Sequence, residues 1–503
     1  MKQLKQWMLA AILILCGMGV CQAQEEESYV SADLVPDGRY FLPAPPDSLS
    51  PTFTDDLIQW EWGKTQRVGK RGEQASHEEL WKSEIMREVM AEVLQLDVIS
   101  DEATPALSKL VEKSYNTGNH STDSVKSHFK RTRPFVMMNE PTWGEFDDDF
   151  LRTNGSYPSG HAAFGWATAL AFAEMWPALQ DTILRRGFEF GENRIISGAH
   201  WQSDVMAGYL CAAAAIARAH CNPDFAADIA AARAEYAQLK GLPADYDPAE
   251  GVDVPHGEKI LNNPVDTASY RYISDLTQYW HAFPLRTTDR GKQAAQEAEY
   301  SVAMAQKVFG EAMNLKLTDE ETPKITALIS VVLEKSSETA DRLKSILFRK
   351  RPFVQLGQPS FVSGDEEKER GKSSFPSGHT NLGWTEALIL TEVAPDCQNE
   401  ILRRGYQYGY NRLIVGYHWF TDIEATRLLS SGLVARLHAD PSFRQLIEDA
   451  KAEYAELTGQ ATSVASPDIN MPRLQSAYRL DGTPATDTTH GIVIEEGKKQ
   501  LRR

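Results

Sequence analysis

Apolar positions along the chain recur mainly at helical spacing. In "LWKSEIMREVMAEVLQL" the apolar residues from Trp81 to Leu96 follow one another at intervals of three and four, which predicts an amphipathic helix. The segment "HAAFGWATALAFAEMW", beginning at His161, is apolar nearly all round, as a buried helix is. Neither region shows the alternation of a strand. The pattern predicts an all-α fold built as a bundle of helices.

The chain repeats itself, with Lys126 of the first copy matched by Lys344 of the second. "KSHFKRTRPF" (126–135) matches "KSILFRKRPF" (344–353), and "ILRRGFEFGENR" (183–194) matches "ILRRGYQYGYNR" (401–412). Each copy is about 200 residues long, the size of one domain and far above the repeat length of a solenoid. The sequence therefore predicts two tandem helical-bundle domains, packed together as an intramolecular pseudo-dimer.

The repeat divides the chain into segments. We predict a signal peptide at 1–23, a first helical domain at 24–240, a linker at 241–255, a second helical domain at 256–458 and a C-terminal tail at 459–503. The linker is rich in Pro, Gly and Asp. The tail alternates like a small hairpin and resembles C-terminal modules of some exported Gram-negative proteins.

The N-terminus has the pattern of an export signal. Lys2 and Lys5 precede a short apolar run, and small residues at Cys21 and Ala23 fit cleavage before Gln24. A membrane anchor is the alternative, although the run is short and acidic residues follow at once. No later apolar stretch reaches the roughly 18 residues of a membrane span. We expect a periplasmic or secreted protein, from a Gram-negative bacterium, without an integral membrane span.

The mature chain is acidic. The formal net charge is −18 for the full sequence and −20 once Lys2 and Lys5 are removed. An acidic chain repels polyanions, so nucleic acid is not an expected partner, and any local cluster of basic residues is noteworthy.

Cysteine usage does not indicate a disulfide framework. Cys211, Cys221 and Cys397 cannot all pair within the mature chain. Ten residues of predicted helix separate the first two by about 15 Å, beyond disulfide reach.

Three polar motifs keep their spacing in both copies. They are Lys126 with Arg133, the Pro-Ser-Gly-His run that ends at His161, and Arg194 followed by His200 and Asp204, with the same residue types 218 positions later. Taken singly, they have ordinary explanations: a solvated basic face, a helix cap and a surface pair. Their recurrence together and in the same order favours one composite site instead.

The residue types in these motifs suit a phosphate group. One lysine and two arginines supply permanent positive charge, and the Ser159 end of the apolar helix supplies free N–H groups and a hydroxyl. His200 and Asp204 lie one helical turn apart, so the carboxylate can hold one ring nitrogen and leave the other as a nucleophile. His161 can protonate the leaving alcohol and then take a proton from water.

The combined pattern Lys-x6-Arg-Pro, Pro-Ser-Gly-His and Arg-x5-His-x3-Asp resembles that of the type 2 phosphatidic acid phosphatase superfamily. "RPFVMMNEPTW" and "GAHWQSDV" are most similar to its class A bacterial acid phosphatases. The resemblance implies catalytic roles for His161, His200, Asp204, His379, His418 and Asp422. It implies phosphate binding by Lys126, Arg133, Ser159, Gly160, Arg194, Lys344, Arg351, Ser377, Gly378 and Arg412. One departure recurs, since Asn193 and Asn411 stand where the family commonly has Ser.

These observations predict an exported acid phosphatase with two active sites, cleaving small-molecule phosphomonoesters through a phosphohistidine. No residue spacing indicates a metal site, and no cofactor is expected. A bell-shaped rate on the acid side of neutrality and inhibition by vanadate are predicted.

Three other interpretations of the function stay open. The same cradle could hold vanadate in a haloperoxidase, or the substrate could be a lipid or isoprenyl pyrophosphate. One copy could instead be a non-catalytic structural partner. The loops 135–157 and 353–375 differ in charge, and are either ordinary solvated loops or lids that make the two sites prefer different substrates.

Overall fold

The computed structural model describes most of the chain, at residues 27–144, 148–243, 246–362, 364, 366–459, 477–479, 491–495 and 498–502. The predicted signal peptide at 1–23 lies outside these residues. The fold is all-α, as predicted, with a small sheet in the C-terminal tail.

Both copies consist of helices in the same order. The first copy contains α1 (Gly38–Phe41), α2 (Thr54–Thr65), α3 (Lys70–His77), α4 (Ser83–Leu94), α5 (Pro105–Phe129), α6 (Pro134–Met137), α7 (Asp148–Thr153), α8 (Gly160–Met175), α9 (Gln180–Ile196), α10 (Gln202–Ala219) and α11 (Pro223–Leu239). The second contains α12 (Gly257–Ile260), α13 (Arg271–Ala282), α14 (Asp289–Gln296), α15 (Val302–Met313), α16 (Pro323–Ile346), α17 (Pro352–Gln355), α18 (Glu366–Glu369), α19 (Gly378–Val393), α20 (Gln398–Ile414), α21 (Phe420–His438) and α22 (Pro441–Thr458). Short 3₁₀ helices cover Pro51–Phe53, Pro177–Leu179, Phe283–Thr287 and Pro395–Cys397.

The tail forms an antiparallel sheet, in line with its alternating pattern. Its strands are β1 (Ala477–Arg479), β2 (Gly491–Glu495) and β3 (Lys498–Arg502), in the order β1-β2-β3. Tyr478 pairs with Ile494, and Val493 pairs with Gln500.

Helix α8 is the centre of the first copy. All of its residues are buried, which confirms the reading of its continuous apolar sequence. It packs against α5, α9 and α10. At Gly118 of α5 a side chain would come within 2.6 Å of the Phe164 backbone, so glycine lets these two helices approach closely. Helix α19 has the same central place in the second copy.

The two copies pack against each other through matching helices. Helix α8 contacts α21 of the other copy, and α10 contacts α19 in the reciprocal way. One continuous apolar core includes buried side chains of both copies. The arrangement is that of a pseudo-twofold pair within a single chain.

Short N-terminal arms are exchanged between the copies. The Asp37 N–H, at the start of α1, donates to Asn399 Oδ1 of the second copy at 2.8 Å. Reciprocally, the His256 N–H donates to Asp181 Oδ1 of the first copy at 2.9 Å. The predicted linker 241–255 also contacts both copies, since Gln180 Nε2 donates to the Asp253 carbonyl oxygen at 2.9 Å and Arg436 Nη2 donates to the Val252 carbonyl oxygen at 2.7 Å.

Two histidines stack where the copies meet. The rings of His220 and His438 lie 3.7 Å apart between centroids. Their Nε2 atoms lie 2.8 Å from carboxylate oxygens of Glu174 and Glu392 respectively, and each Nδ1–H donates to the carbonyl oxygen four residues earlier at 2.9 Å. Burial alone would lower the pKa of His438, but the hydrogen bond to Glu392 and the charges of Glu392 and Glu174 together outweigh it, and the net pKa is raised.

We predict that His438 makes stability depend on pH. Because the folded pKa of His438 is above its unfolded value of about 6.5, its stabilisation is complete below that pH and is lost as pH rises through the folded pKa. His438→Gln should lower the melting temperature by about 2 °C at acidic pH and by less at alkaline pH. Thermal melts between about pH 5.5 and 8 test this. His77→Gln, at an exposed histidine–glutamate pair, is the matched control. The same pH dependence in His438→Gln and in the parent would contradict the prediction.

The sequence also makes predictions about membrane-spanning helices and cysteine pairing, and the structure bears on both. In the part of the chain that the structure describes, no helix combines the length and apolar character needed to cross a bilayer. Cys211, Cys221 and Cys397 are all free thiols.

Candidate active site

A tight turn at the end of α9 positions the histidine of the third motif. Gly198 has a φ of +78°, a left-handed conformation that glycine adopts without strain. The N–H groups of Ala199 and His200 both donate to the carbonyl oxygen of Arg194, at 3.1 and 3.2 Å. The five residues between Arg194 and His200 are thus the length of a turn that returns the chain beside its own helix end.

The partners of the His200 ring assign its tautomer. Arg133 Nη1 lies 3.0 Å from Nε2, and the carbonyl oxygen of Ser156 lies 2.8 Å from Nδ1. A guanidinium only donates and a carbonyl only accepts, so Nδ1 carries the proton and Nε2 carries a lone pair. Burial, followed by the charge of Arg133, lowers the pKa of His200 to about 3. The ring is therefore neutral, with its free lone pair facing a cation.

Asp204 lies farther from the ring than the sequence spacing suggests. Its Oδ2 is 3.5 Å from His200 Nδ1, so the shorter contact of that nitrogen is the Ser156 carbonyl. The carboxylate pairs with Arg131 at 2.6 Å, and it also accepts hydrogen bonds from the Ser156 hydroxyl and from the Trp201 N–H. Asp204 thus fixes the segment that holds the ring, and its charge lies beside the ring.

The two cations of the first motif, Lys126 and Arg133, are buried in the same place. Lys126 Nζ donates to the carbonyl oxygens of Pro158 and Gly155, at 2.5 and 3.2 Å. Arg133 donates to the carbonyl oxygens of Asn154 and Ala199, both at 3.0 Å. Burial, and then the charge of Arg133, lowers the pKa of Lys126 to about 7. Burial lowers the pKa of Arg133 to about 10.

Arg194 reaches the same region from the end of α9. Its Nη2 donates to the carbonyl oxygen of Ala75 at 2.9 Å, and burial lowers its pKa to about 10. After burial, the charge of Arg194 is the largest influence that lowers the pKa of His161, and the charge of Arg133 adds to it. These groups are close enough to perturb one another, so the structure brings the three motifs together.

The N-terminus of α8 forms one wall of the site. Ser159 caps the helix, and its hydroxyl oxygen accepts from the Ala162 N–H at 3.3 Å. His161 Nε2 donates to the carbonyl oxygen of Glu79 at 2.9 Å, so Nδ1 is the ring nitrogen left for proton transfer. The Trp81 ring lies 4.9 Å from the His161 ring and covers Gly160, where a side chain would collide with it.

The second copy reproduces the arrangement around the histidine of its third motif. Arg351 Nη1 lies 3.2 Å from His418 Nε2, and the Ser374 carbonyl oxygen lies 2.5 Å from Nδ1. Asp422 Oδ2 is 3.9 Å from that nitrogen, and its carboxylate pairs with Arg349 at 2.6 Å. Burial, followed by Arg351, lowers the pKa of His418 well below its usual value.

The remaining predicted residues of the second site also correspond. Ser377 caps α19, and its hydroxyl oxygen accepts from the Thr380 N–H at 3.3 Å. His379 Nε2 donates to the Ala298 carbonyl oxygen at 2.9 Å. Arg412 Nη2 donates to the Ala294 carbonyl oxygen at 3.0 Å.

This second site is more open at its helix end. Tyr300 takes the place of Trp81, with its ring 5.1 Å from that of His379. The Gly378 position is less crowded: a side chain there would meet Lys344 Nζ at 3.6 Å and Tyr300 at 3.9 Å. The Lys344 side chain keeps 21% of its surface exposed, whereas Lys126 is buried.

Sequence reasoning missed a layer of supporting residues. Arg131 bridges Asp204 and Asp56, each at 2.6 Å, and Arg349 bridges Asp422 and Asp275 in the same way. The signal was available, since an arginine stands two residues before the motif arginine in both copies. Trp81 was also missed, because its spacing matched the apolar face of α4, although it lies outside that helix.

The asparagines that depart from the family pattern have a structural role. Asn193 Nδ2 donates to Glu78 at 2.6 Å, and Asn411 Nδ2 donates to Glu297 at 2.6 Å. The residue after Glu78 accepts the hydrogen bond of His161, and the residue after Glu297 accepts that of His379. Each asparagine therefore links the helix that carries the motif arginine to the segment that holds the second histidine.

The side chains that could together bind a metal ion lie away from these two sites. Within the described ranges, the group of ligand atoms close enough to share an ion is His220, Glu392 and His438, at the contact between the copies. It includes none of the site residues. The absence of a metal at the site stays a prediction.

The geometry defines a protein that can bind a tetrahedral oxyanion between buried cations, next to a neutral histidine with a free lone pair. Comparisons with known proteins identify the family. A family model described as the PAP2 superfamily matches residues 113–226 and 325–445. The non-specific acid phosphatase of Providencia stuartii is 37% identical over 199 residues, covering 39% of this chain and 80% of that protein.

Two further relatives are similar at nearly the same level. An acid phosphatase of Zymomonas mobilis is 35% identical over 195 residues, covering 39% of this chain and 73% of that protein. A non-specific acid phosphatase of Salmonella typhimurium is 34% identical over 214 residues, covering 42% of this chain and 85% of that protein. The chain belongs to the PAP2 superfamily, and one matched region lies in each copy.

We predict that anion binding in the first site follows the charge of Lys126. Sulfate keeps its charge over the relevant pH range, so it reports on the protein alone. In a chain whose second site is disabled by Arg351→Ala, sulfate should inhibit the remaining turnover more weakly as pH rises above about 7. The loss should approach about tenfold per pH unit, because the lysine sheds its proton.

Lys126→Arg keeps its charge at these pH values and should flatten that dependence. Lys316→Arg, at an exposed lysine paired with Glu321, is the matched control and should not change it. An unaltered pH dependence in Lys126→Arg would show that this lysine does not contact the anion.

Proposed function

We propose that this chain is an exported, metal-independent acid phosphatase that hydrolyses phosphomonoesters through a phosphohistidine at two active sites. The proposal rests mainly on the contact of Arg133 with His200 and its counterpart between Arg351 and His418. In both copies a neutral ring offers a lone pair to a buried guanidinium, which is where an oxyanion would bind. The names of the relatives support the same class of reaction.

In the first step, His200 Nε2 attacks the phosphorus atom and the bond to the ester oxygen breaks. Arg133 gives up its hydrogen bond to the ring and donates to the phosphoryl oxygens, together with Lys126 and Arg194. His161 gives a proton to the departing alkoxide, so the alcohol leaves neutral. The reaction thus needs His200 neutral and His161 protonated.

The phosphorylated ring becomes positively charged. Its Nδ1–H keeps the hydrogen bond to the Ser156 carbonyl, and Asp204, 3.5 Å away, offsets the new charge. In the second step, His161 takes a proton from water, the resulting hydroxide attacks phosphorus and the bond to His200 breaks. Inorganic phosphate leaves, and both histidines return to their starting states.

Acid conditions suit this division of roles. Burial and the charges of Arg194 and Arg133 lower the pKa of His161 well below its ordinary value. The acid form is therefore more abundant at low pH. Because the pKa of His200 is about 3, the nucleophile stays neutral there. The same roles fall to His379 and His418 in the second copy.

We expect the two sites to act independently. His200→Ala and His418→Ala should each leave the turnover of the other site intact. The turnover of the double variant should fall by about 10³-fold or more. Hydrolysis of an aryl phosphate in the presence of a chelator measures this, and exposed His77→Ala serves as the control. If one single change abolished all turnover, the other copy would be a structural partner. Activity that needed a divalent metal would remove the metal-independent mechanism.

A further inference from the structure

In the second site, a carboxylate of the protein itself is bound to the arginine that faces the histidine. Glu369, the last residue of α18, places Oε2 at 2.7 Å from Arg351 Nη2. The Nη1 atom of the same guanidinium lies 3.2 Å from His418 Nε2. An anionic group of the protein is thus already bound to the cation that would hold the oxyanion.

This contact is enclosed and supported on both sides. The side chains of Arg351 and Glu369 are only 3% and 19% exposed. Lys372 Nζ donates to the other carboxylate oxygen at 2.8 Å. Burial alone would raise the pKa of Glu369, but the hydrogen bond from Lys372 and the charge of Arg351 make the net pKa lower than usual. The carboxylate is therefore ionised at mildly acidic pH.

Among the residues that the structure describes, the first site has no equivalent of this ion pair. The position that matches Glu369 carries Leu151, and the position that matches Lys372 carries Asn154. Among the described residues, Arg133 contacts the carbonyl oxygens of Asn154 and Ala199 and the ring of His200, and no carboxylate. The two copies thus differ at the group that faces an incoming anion.

We propose that Glu369 is a built-in competitor for the oxyanion, so that the second site binds phosphate more weakly than the first. This inference rests on the proposed function of the site. Phosphate and the carboxylate would use the same face of Arg351, and two anions cannot share it without strong repulsion. The loop must therefore release Glu369 before a phosphate group is bound. The two sites of one chain would then respond to different substrate concentrations.

Binding of inorganic phosphate tests the inference without relying on turnover. In a chain with Arg133→Ala, which disables the first site, isothermal titration at a fixed, mildly acidic pH records the second site alone. Adding Glu369→Gln or Glu369→Leu should tighten phosphate binding about tenfold, because each removes one charge-assisted competitor. Glu367→Gln removes the same charge from the exposed face of α18, where the side chain is 93% exposed, and should leave the affinity unchanged.

The reciprocal change, made in the first site, provides a second test. In a chain with Arg351→Ala, Leu151→Glu should weaken phosphate binding at the first site. Unchanged or weaker phosphate binding after Glu369→Gln and Glu369→Leu would overturn the inference, since the carboxylate would then be supporting Arg351. Tighter binding by a second site that shows no turnover would uphold the inference and count against the proposed second active site.

Discussion

A buried guanidinium held against a neutral imidazole is the interaction on which each site depends. Burying a cation costs on the order of several kcal/mol unless it is well paired. Asp204 is engaged with Arg131, so the described contacts of Arg133 are carbonyl oxygens and the His200 ring. The surrounding turn, the helix end and the carbonyl groups all serve to hold that cation without neutralising it. Such a site is chemically suited to a small oxyanion.

In the second copy Arg351 also contacts the His418 ring, but there Glu369 pairs with the guanidinium. The helix end of this second site is covered by Tyr300 in place of Trp81, and its lysine is partly exposed. The central helices that carry the sites also form the contact between the copies, so each site is built on the shared core. That sharing keeps the backbone of both sites alike, while the loops above them are free to differ.

Much of the fold and site could be predicted because the decisive spacings are local. The five residues from Arg194 to His200 span one turn, and the buried helix after Ser159 is continuous in sequence. What could not be predicted depends on contacts between distant segments. Arg131 pairs with Asp56 across the fold, and Trp81, which precedes α4, covers the start of α8. Spacing also overstated the contact of Asp204 with the ring, because it cannot show that the Ser156 carbonyl lies closer.

The most direct measurement is the number and location of phosphohistidines formed during turnover. Labelled phosphomonoester mixed rapidly with the chain, and quenched in alkaline denaturant that preserves phosphohistidine, should leave label on both His200 and His418. The variant with both histidines changed to alanine should carry none. Label on any other residue, or label that survives in that double variant, would contradict the account of a lone pair held beside a buried guanidinium.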